Sequence, residues 1–141
     1  MFKKIFKKKK KENPDNKNIL IISLLIHAAK IDENYTENEK KIIIKAIMQL
    51  NEVSFDEAKK LLLLSERKEE ESNQIVEFTR EIKKYSMEFR LKIIEIIWKI
   101  VYSDGTTDNY ESNLIRRICG LLYVSDKDNG IIKTKVQNSL L

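Results

Sequence analysis

The chain has 141 residues, 42% of them hydrophobic and 35% charged, which excludes a disordered polymer and gives enough length for one domain with its own core. Three Gly and one Pro leave little punctuation for tight turns, so long helices are expected over hairpins. The net charge of +5 sits at one end: taking away the seven Lys of residues 1–11 leaves −2 for the rest, which argues against a nucleic-acid-binding face on the domain.

Residues 1–18 read as a basic, disordered tail, and 19–141 as a helical domain. The tail joins Lys3, Lys4, Lys7, Lys8, Lys9, Lys10 and Lys11 to three bulky apolar side chains, Phe2, Ile5 and Phe6. Each Lys near an anionic membrane contributes about 1 kcal/mol. The apolar side chains suit the headgroup boundary. An anionic membrane surface is therefore the partner expected of the tail, set against a merely solubilising extension. The polar stretch 12–18 separates these charges from the apolar run 19–26, which is too short to span a bilayer, so a cleaved signal sequence is not expected.

Apolar residues at Ile19, Ile22, Ile26 and Ala29 predict a first helix to about Ile31. A second follows the turn 32–35 and runs to about Leu50, with Ile43, Ile47 and Leu50 on one face. Ser54, with Glu57 three residues on, opens a third through Leu64 as a capping box. The charged stretch 65–72 reads as a solvated loop or helix end. A fourth helix carries Ile75, Phe78, Ile82 and Tyr85; a fifth, capped by Ser86, carries Phe89, Ile93, Ile96, Ile97 and Ile100. A sixth runs from Asp108 to about Leu122, and a seventh, capped by Ser125, toward Ser139. The expected fold class is all-α, a single domain of about seven helices. The lone Cys119 lies among Ile115, Ile118 and Leu122 and reads as a buried small hydrophobe; with no disulfide available, the cytoplasm is the expected compartment, peripheral to the inner membrane face if the tail binds there.

A shift of 72 residues superposes two segments. Ile22 falls on Ile94, Leu25 on Ile97, Ile26 on Trp98, Ala29 on Val101, Asp32 on Asp104, Glu39 on Glu111 and Ile43 on Ile115. An apolar helix, an acidic turn and an amphipathic helix thus occur twice, and packing about a pseudo-twofold axis is expected. Thr36-x-x-Glu39 and Asp108-x-x-Glu111 are both capping boxes. Capping does not account for Asp32 and Asp104, each at the end of the preceding helix where the dipole disfavours an anion. If the turns meet, Asp32, Glu39, Asp104, Asp108 and Glu111 pool carboxylates that suit a hard cation, Ca²⁺, Mg²⁺ or Mn²⁺.

The segment 103–111, Ser-Asp-Gly-Thr-Thr-Asp-Asn-Tyr-Glu, with its flanks 77–79, 86–98 and 114–118, resembles the second acidic turn of the TerB family over about residues 19–137. The resemblance implies a seven-helix fold, two such turns whose acidic residues have been suggested to bind metal, a context of tellurite and other stress resistance, and kinship with the N-terminal domain of a membrane-anchored DnaJ-type co-chaperone. The first turn departs from the pattern, with Glu33 where Gly is usual and Thr36 where Asp is frequent. No enzyme is expected. His27 is the only histidine, aligned with Lys99 and expected to face solvent, and no nucleophile set, phosphate loop or zinc pair occurs. The expected function is a non-enzymatic stress-response binding module with a cation at the turns. The alternative is a membrane-surface scaffold or co-chaperone-like adaptor held by its tail, with a protein partner the sequence leaves open.

Overall fold

The computed structural model describes residues 15–31, 35–72, 74–104 and 109–139, with the backbone alone at 15, 104, 109 and 110. Among them the chain forms seven α-helices and no strand: α1 (Asp15–Ala29), α2 (Glu37–Asn51), α3 (Phe55–Glu71), α4 (Ile75–Ile82), α5 (Met87–Val101), α6 (Asn109–Leu121) and α7 (Asp126–Ser139). A 3₁₀ turn, Tyr102–Asp104, extends α5.

Two helices are central: α1 is apolar nearly all round from Ile19 on, the pattern of a helix buried on every side, and α5 is apolar over most of its surface beside one charged stripe of Glu88, Lys92, Glu95 and Lys99. From Ile21 to Ala29 only His27 of α1 escapes full burial, and α1 packs against α3, α4, α5 and α2. In α5, Ile93, Ile94, Ile96, Ile97, Trp98, Ile100 and Val101 are buried, and the helix lies against α7, α1 and α2. Trp98 Nε1–H donates to Asn129 Oδ1 at 2.9 Å, which satisfies the one polar atom of the largest core side chain. Cys119 is 1% exposed; burial, with Asp126 adding to it, pushes its thiol up to about 12, so it packs as a hydrophobe.

The helix bounds repeat. Moved by 72 residues, 15–29 falls on 87–101, the bounds of α5, and 37–51 overlies α6. After the second helix the offset drops to 71. Glu52 and Tyr123, both in the left-handed region (φ 51° and 59°), then correspond, as do the caps Ser54 and Ser125. α3 packs on α1 as α7 packs on α5. Core pairs agree: Leu25 and Ile97, Ile43 and Ile115, Ile47 and Cys119 are each buried to 1% or less.

Three expectations are corrected. α1 begins at Asp15 and not at residue 19, the polar residues 15–18 serving as its first turn after Pro14. Of the two readings of the charged stretch 65–72, loop or helix end, the helix end holds, but α3 runs to Glu71 and not to Leu64. Nor is the stretch wholly solvated, because Ser65 and Glu69 extend the stripe of Ala58, Leu61 and Leu62 and are themselves buried. That extension covers His27, which is 19% exposed and not solvent-facing; its Nδ1 lies 3.1 Å from Glu69 Oε2, whose Oε1 accepts from Lys30 Nζ at 2.7 Å.

Candidate functional site

The first turn delivers its chain into α2 through Thr36, an extended N-cap (φ −86°, ψ 165°). Its Oγ1 accepts from the Glu39 N–H at 3.1 Å, and Glu39 Oε1 accepts from the Thr36 N–H at 2.7 Å, so the box closes in both directions. Glu39 is only 4% exposed. Burial is not what a cap requires. Glu57 holds the same position after Ser54 and is exposed, and its N–H still bonds Ser54 Oγ at 3.2 Å. That second box stays open, contrary to the sequence pattern, because the Glu57 carboxylate meets the Ser54 hydroxyl at 3.5 Å instead of returning to the backbone.

Beside Thr36, the Tyr35 hydroxyl donates to Glu66 Oε2 at 2.8 Å and so ties the turn to α3. Burial first, then the bond to Glu66 and the charges of Glu66, Glu39 and Glu37, raise this phenol far above its ordinary range. It stays a neutral donor. Lys40 Nζ lies over the Tyr35 ring, 4.9 Å from its centre.

The second turn starts at Tyr102, 5% exposed and stacked on Trp98 at 5.5 Å. Its hydroxyl is sealed from solvent and among the described residues has no hydrogen bond of good geometry; Gln137 lies near it without completing one. Burial, with the Glu111 charge adding to it against the opposing effect of Gln137, raises the Tyr102 phenol. Glu111, in the first turn of α6, is 4% exposed. Glu39 and Glu111 are the 72-residue pair, and both are buried.

Of the five candidate ligands, Asp32 and Asp108 lie outside the described residues, and Asp104 is described in backbone only, in the 3₁₀ turn after α5. Glu39 and Glu111 alone are described to their side chains, and among the described residues no three His, Cys, Asp or Glu gather in a group able to hold an ion. The tail residues Phe2 to Lys11 also lie outside the described residues, and no described helix is long and apolar enough to cross a membrane.

Sequence reasoning missed two features. One is the half-buried His27–Glu69–Lys30 cluster between α1 and α3, whose only signal was a histidine on the helix that proves most buried. The other is a groove of about 610 Å³ between the outer faces of α2 and α3. Its signal was present: Ile44 and Met48 in α2, and Phe55 and Leu63 in α3, are apolar side chains beyond the fully buried positions of their helices, with the buried Leu62 between them.

No curated protein and no solved structure matches the chain. The family model of the tellurite resistance protein TerB matches residues 18–134, most of the described helices. With an all-α fold of seven described helices and a match over more than half its length, the chain belongs to the TerB family.

Proposed function

We propose that this TerB-family chain is a non-enzymatic binding module of the stress-response type, taking a hard divalent cation at its two acidic turns. One observation carries the reading. Glu39 and Glu111, matched by the 72-residue offset, are both 4% exposed in first helical turns, whereas Glu57, at the same place in the turn after Ser54, is exposed. Burial of a carboxylate is offset by hydrogen-bonding and cationic partners, of which the Thr36 N–H is one for Glu39, and the cation is proposed as a further one. The duplication read from the sequence supplies Asp32, Asp104 and Asp108 on the same turns, and an all-oxygen set suits Ca²⁺, Mg²⁺ or Mn²⁺.

The test is thermal unfolding of metal-stripped protein with each ion, beside Asp32→Asn/Asp104→Asn and Glu39→Gln/Glu111→Gln variants. At about a hundred times its dissociation constant an ion stabilises the fold by about 2.7 kcal/mol, a shift of several degrees. A shift with one hard cation, lost in both variants, is expected; no shift with any ion reduces the turns to helix caps. A second reading rests on the seven Lys with Phe2, Ile5 and Phe6 in residues 1–11: a peripheral scaffold at an anionic membrane. Flotation with anionic vesicles that fails in the full chain removes it.

A further inference from the structure

We infer that the groove between α2 and α3 docks an acidic amphipathic helix of a protein partner. Its floor is apolar: Ile44 and Met48 from α2 meet Phe55, Leu62 and Leu63 from α3, with Phe55 52% and Leu63 60% exposed. Each helix also packs on the core, through Ile43, Ala46 and Ile47 in α2 and Ala58, Leu61, Leu62 and Ser65 in α3, so Leu62 serves both. The groove thus runs outward from the core edge, where Leu62 is buried and Ile44 and Met48 are half-buried, to Phe55 and Leu63, whose exposure burial of the core does not require.

The corresponding face of the α5–α7 set shows that the fold does without it. At the offsets established above, Ile44 corresponds to Arg116, Met48 to Gly120, Phe55 to Asp126, Leu62 to Lys133 and Leu63 to Thr134. Every one of these pairs exchanges an apolar side chain for a polar one or for none. A large exposed apolar side chain kept on one face and absent from its counterpart marks an interaction surface.

The rim sets the charge of the occupant. Lys40, Lys41, Lys45 and Lys59 line the groove against Glu37 and Glu66. Glu66 is occupied by the Tyr35 hydroxyl, Glu37 pairs with Lys40 at 3.5 Å, and among the described residues Lys41, Lys45 and Lys59 have no ion pair. This positive rim stands on a domain that outside residues 1–11 carries −2. It calls for an anionic partner. Two antiparallel neighbours with an apolar floor are the shape that takes a helix with apolar residues at i, i+3, i+4 and i+7. Other occupants fit less well. The chain's own Lys-rich tail is repelled, and a second copy across a twofold axis sets lysines against lysines. The other groove, about 690 Å³ between α5 and α7, has no rim of one sign, since Glu95 is paired with Lys99 at 3.2 Å and Lys135 at 3.5 Å.

The inference rests on the reading of the chain as a binding module, not on its cation site. The experiment is fluorescence anisotropy of the full chain with a labelled helical peptide of about five turns, Leu at i, i+3, i+4 and i+7 and Glu elsewhere, beside the same peptide with Lys for Glu. The acidic peptide is expected to bind saturably and the basic one not. Leu63→Asp and Lys41→Glu/Lys45→Glu, each with unchanged thermal stability, are each expected to weaken binding about tenfold or more. Absence of acidic-peptide binding, or binding that both variants leave intact, overturns the inference. So does a concentration-dependent dimer in sedimentation that Leu63→Asp abolishes, or binding of anionic vesicles that depends on Leu63 while the peptide does not bind. A cation shift that persists while the peptide fails to bind overturns this inference alone; peptide binding without any cation shift removes the ion site alone.

Discussion

The α1–α3 set and the α5–α7 set bury matching side chains at Leu25 and Ile97, Ile43 and Ile115, and Ile47 and Cys119, yet differ at Ile44 and Arg116, Met48 and Gly120, and Phe55 and Asp126. The first group faces the shared core, where close packing punishes any change of volume or polarity. In the second group Ile44 and Met48 are half-buried at the edge of the core and Phe55 is exposed, whereas Arg116, Gly120 and Asp126 are all exposed, so the first set keeps apolar side chains where the second turns polar ones or none to solvent. The polar layer differs too: the first set ties α1 to α3 through His27, Lys30 and Glu69, the second ties α5 to α7 through Trp98 and Asn129.

The largest effects are expected where the sets agree. Leu25→Ala and Ile97→Ala, both at 0% exposure, should each cost about 2–5 kcal/mol in urea unfolding. A cost confined to one of them would mean that the two central helices do not share one core. Next comes the polar seam. Glu69→Ala removes the acceptor of His27 and Lys30 and should cost about 1–3 kcal/mol by the same measurement, and a loss below about 0.5 kcal/mol would show the seam to be ornamental to stability.

The two caps of the first set sharpen the contrast between burial and exposure. Thr36→Ala should cost about 1–2 kcal/mol and Ser54→Ala about 0.5–1 kcal/mol, because only the first box is closed and buried. Equal losses would place the burial of Glu39 outside the energetics of its cap. The smallest effect belongs to Glu77, in α4 between the sets. The Ser72 hydroxyl and then Lys68 lower its carboxyl below the ordinary glutamate range, and Lys68 Nζ lies 3.1 Å away. A lowered folded-state value contributes stability that is present above the unfolded value and lost as pH falls through the folded one. In the wild type this contribution, under about 1 kcal/mol for an exposed pair, should disappear on acidification below roughly pH 4.3. In Glu77→Gln that part of the pH profile should be flat.

Much of the fold was legible in the chain. Ser54, Ser86 and Ser125 announced helix starts, because a side-chain oxygen at an N-cap is a local device that acts within three residues. The apolar runs 19–26 and 93–101 announced the two central helices. The extent of α3 was not legible. Ser65 and Glu69 carry no apolar signal, and their burial follows only from α1 offering Ser23, His27 and Lys30 opposite them. The candidate site divides the same way. The capping box at Thr36 and Glu39 could be read from spacing, whereas the burial of Glu39 and Glu111 is a matter of tertiary packing that spacing does not encode.

The sequence by itself determined the helices and the starts capped by Ser54, Ser86 and Ser125, since these follow from periodicity and caps that act over one or two turns. Only the tertiary structure decided which polar residues are buried and which apolar ones are left outside. Glu39, Glu69 and Glu111 went in, and Phe55 and Leu63 stayed out, because a helix has more faces than neighbours, and only packing selects among them.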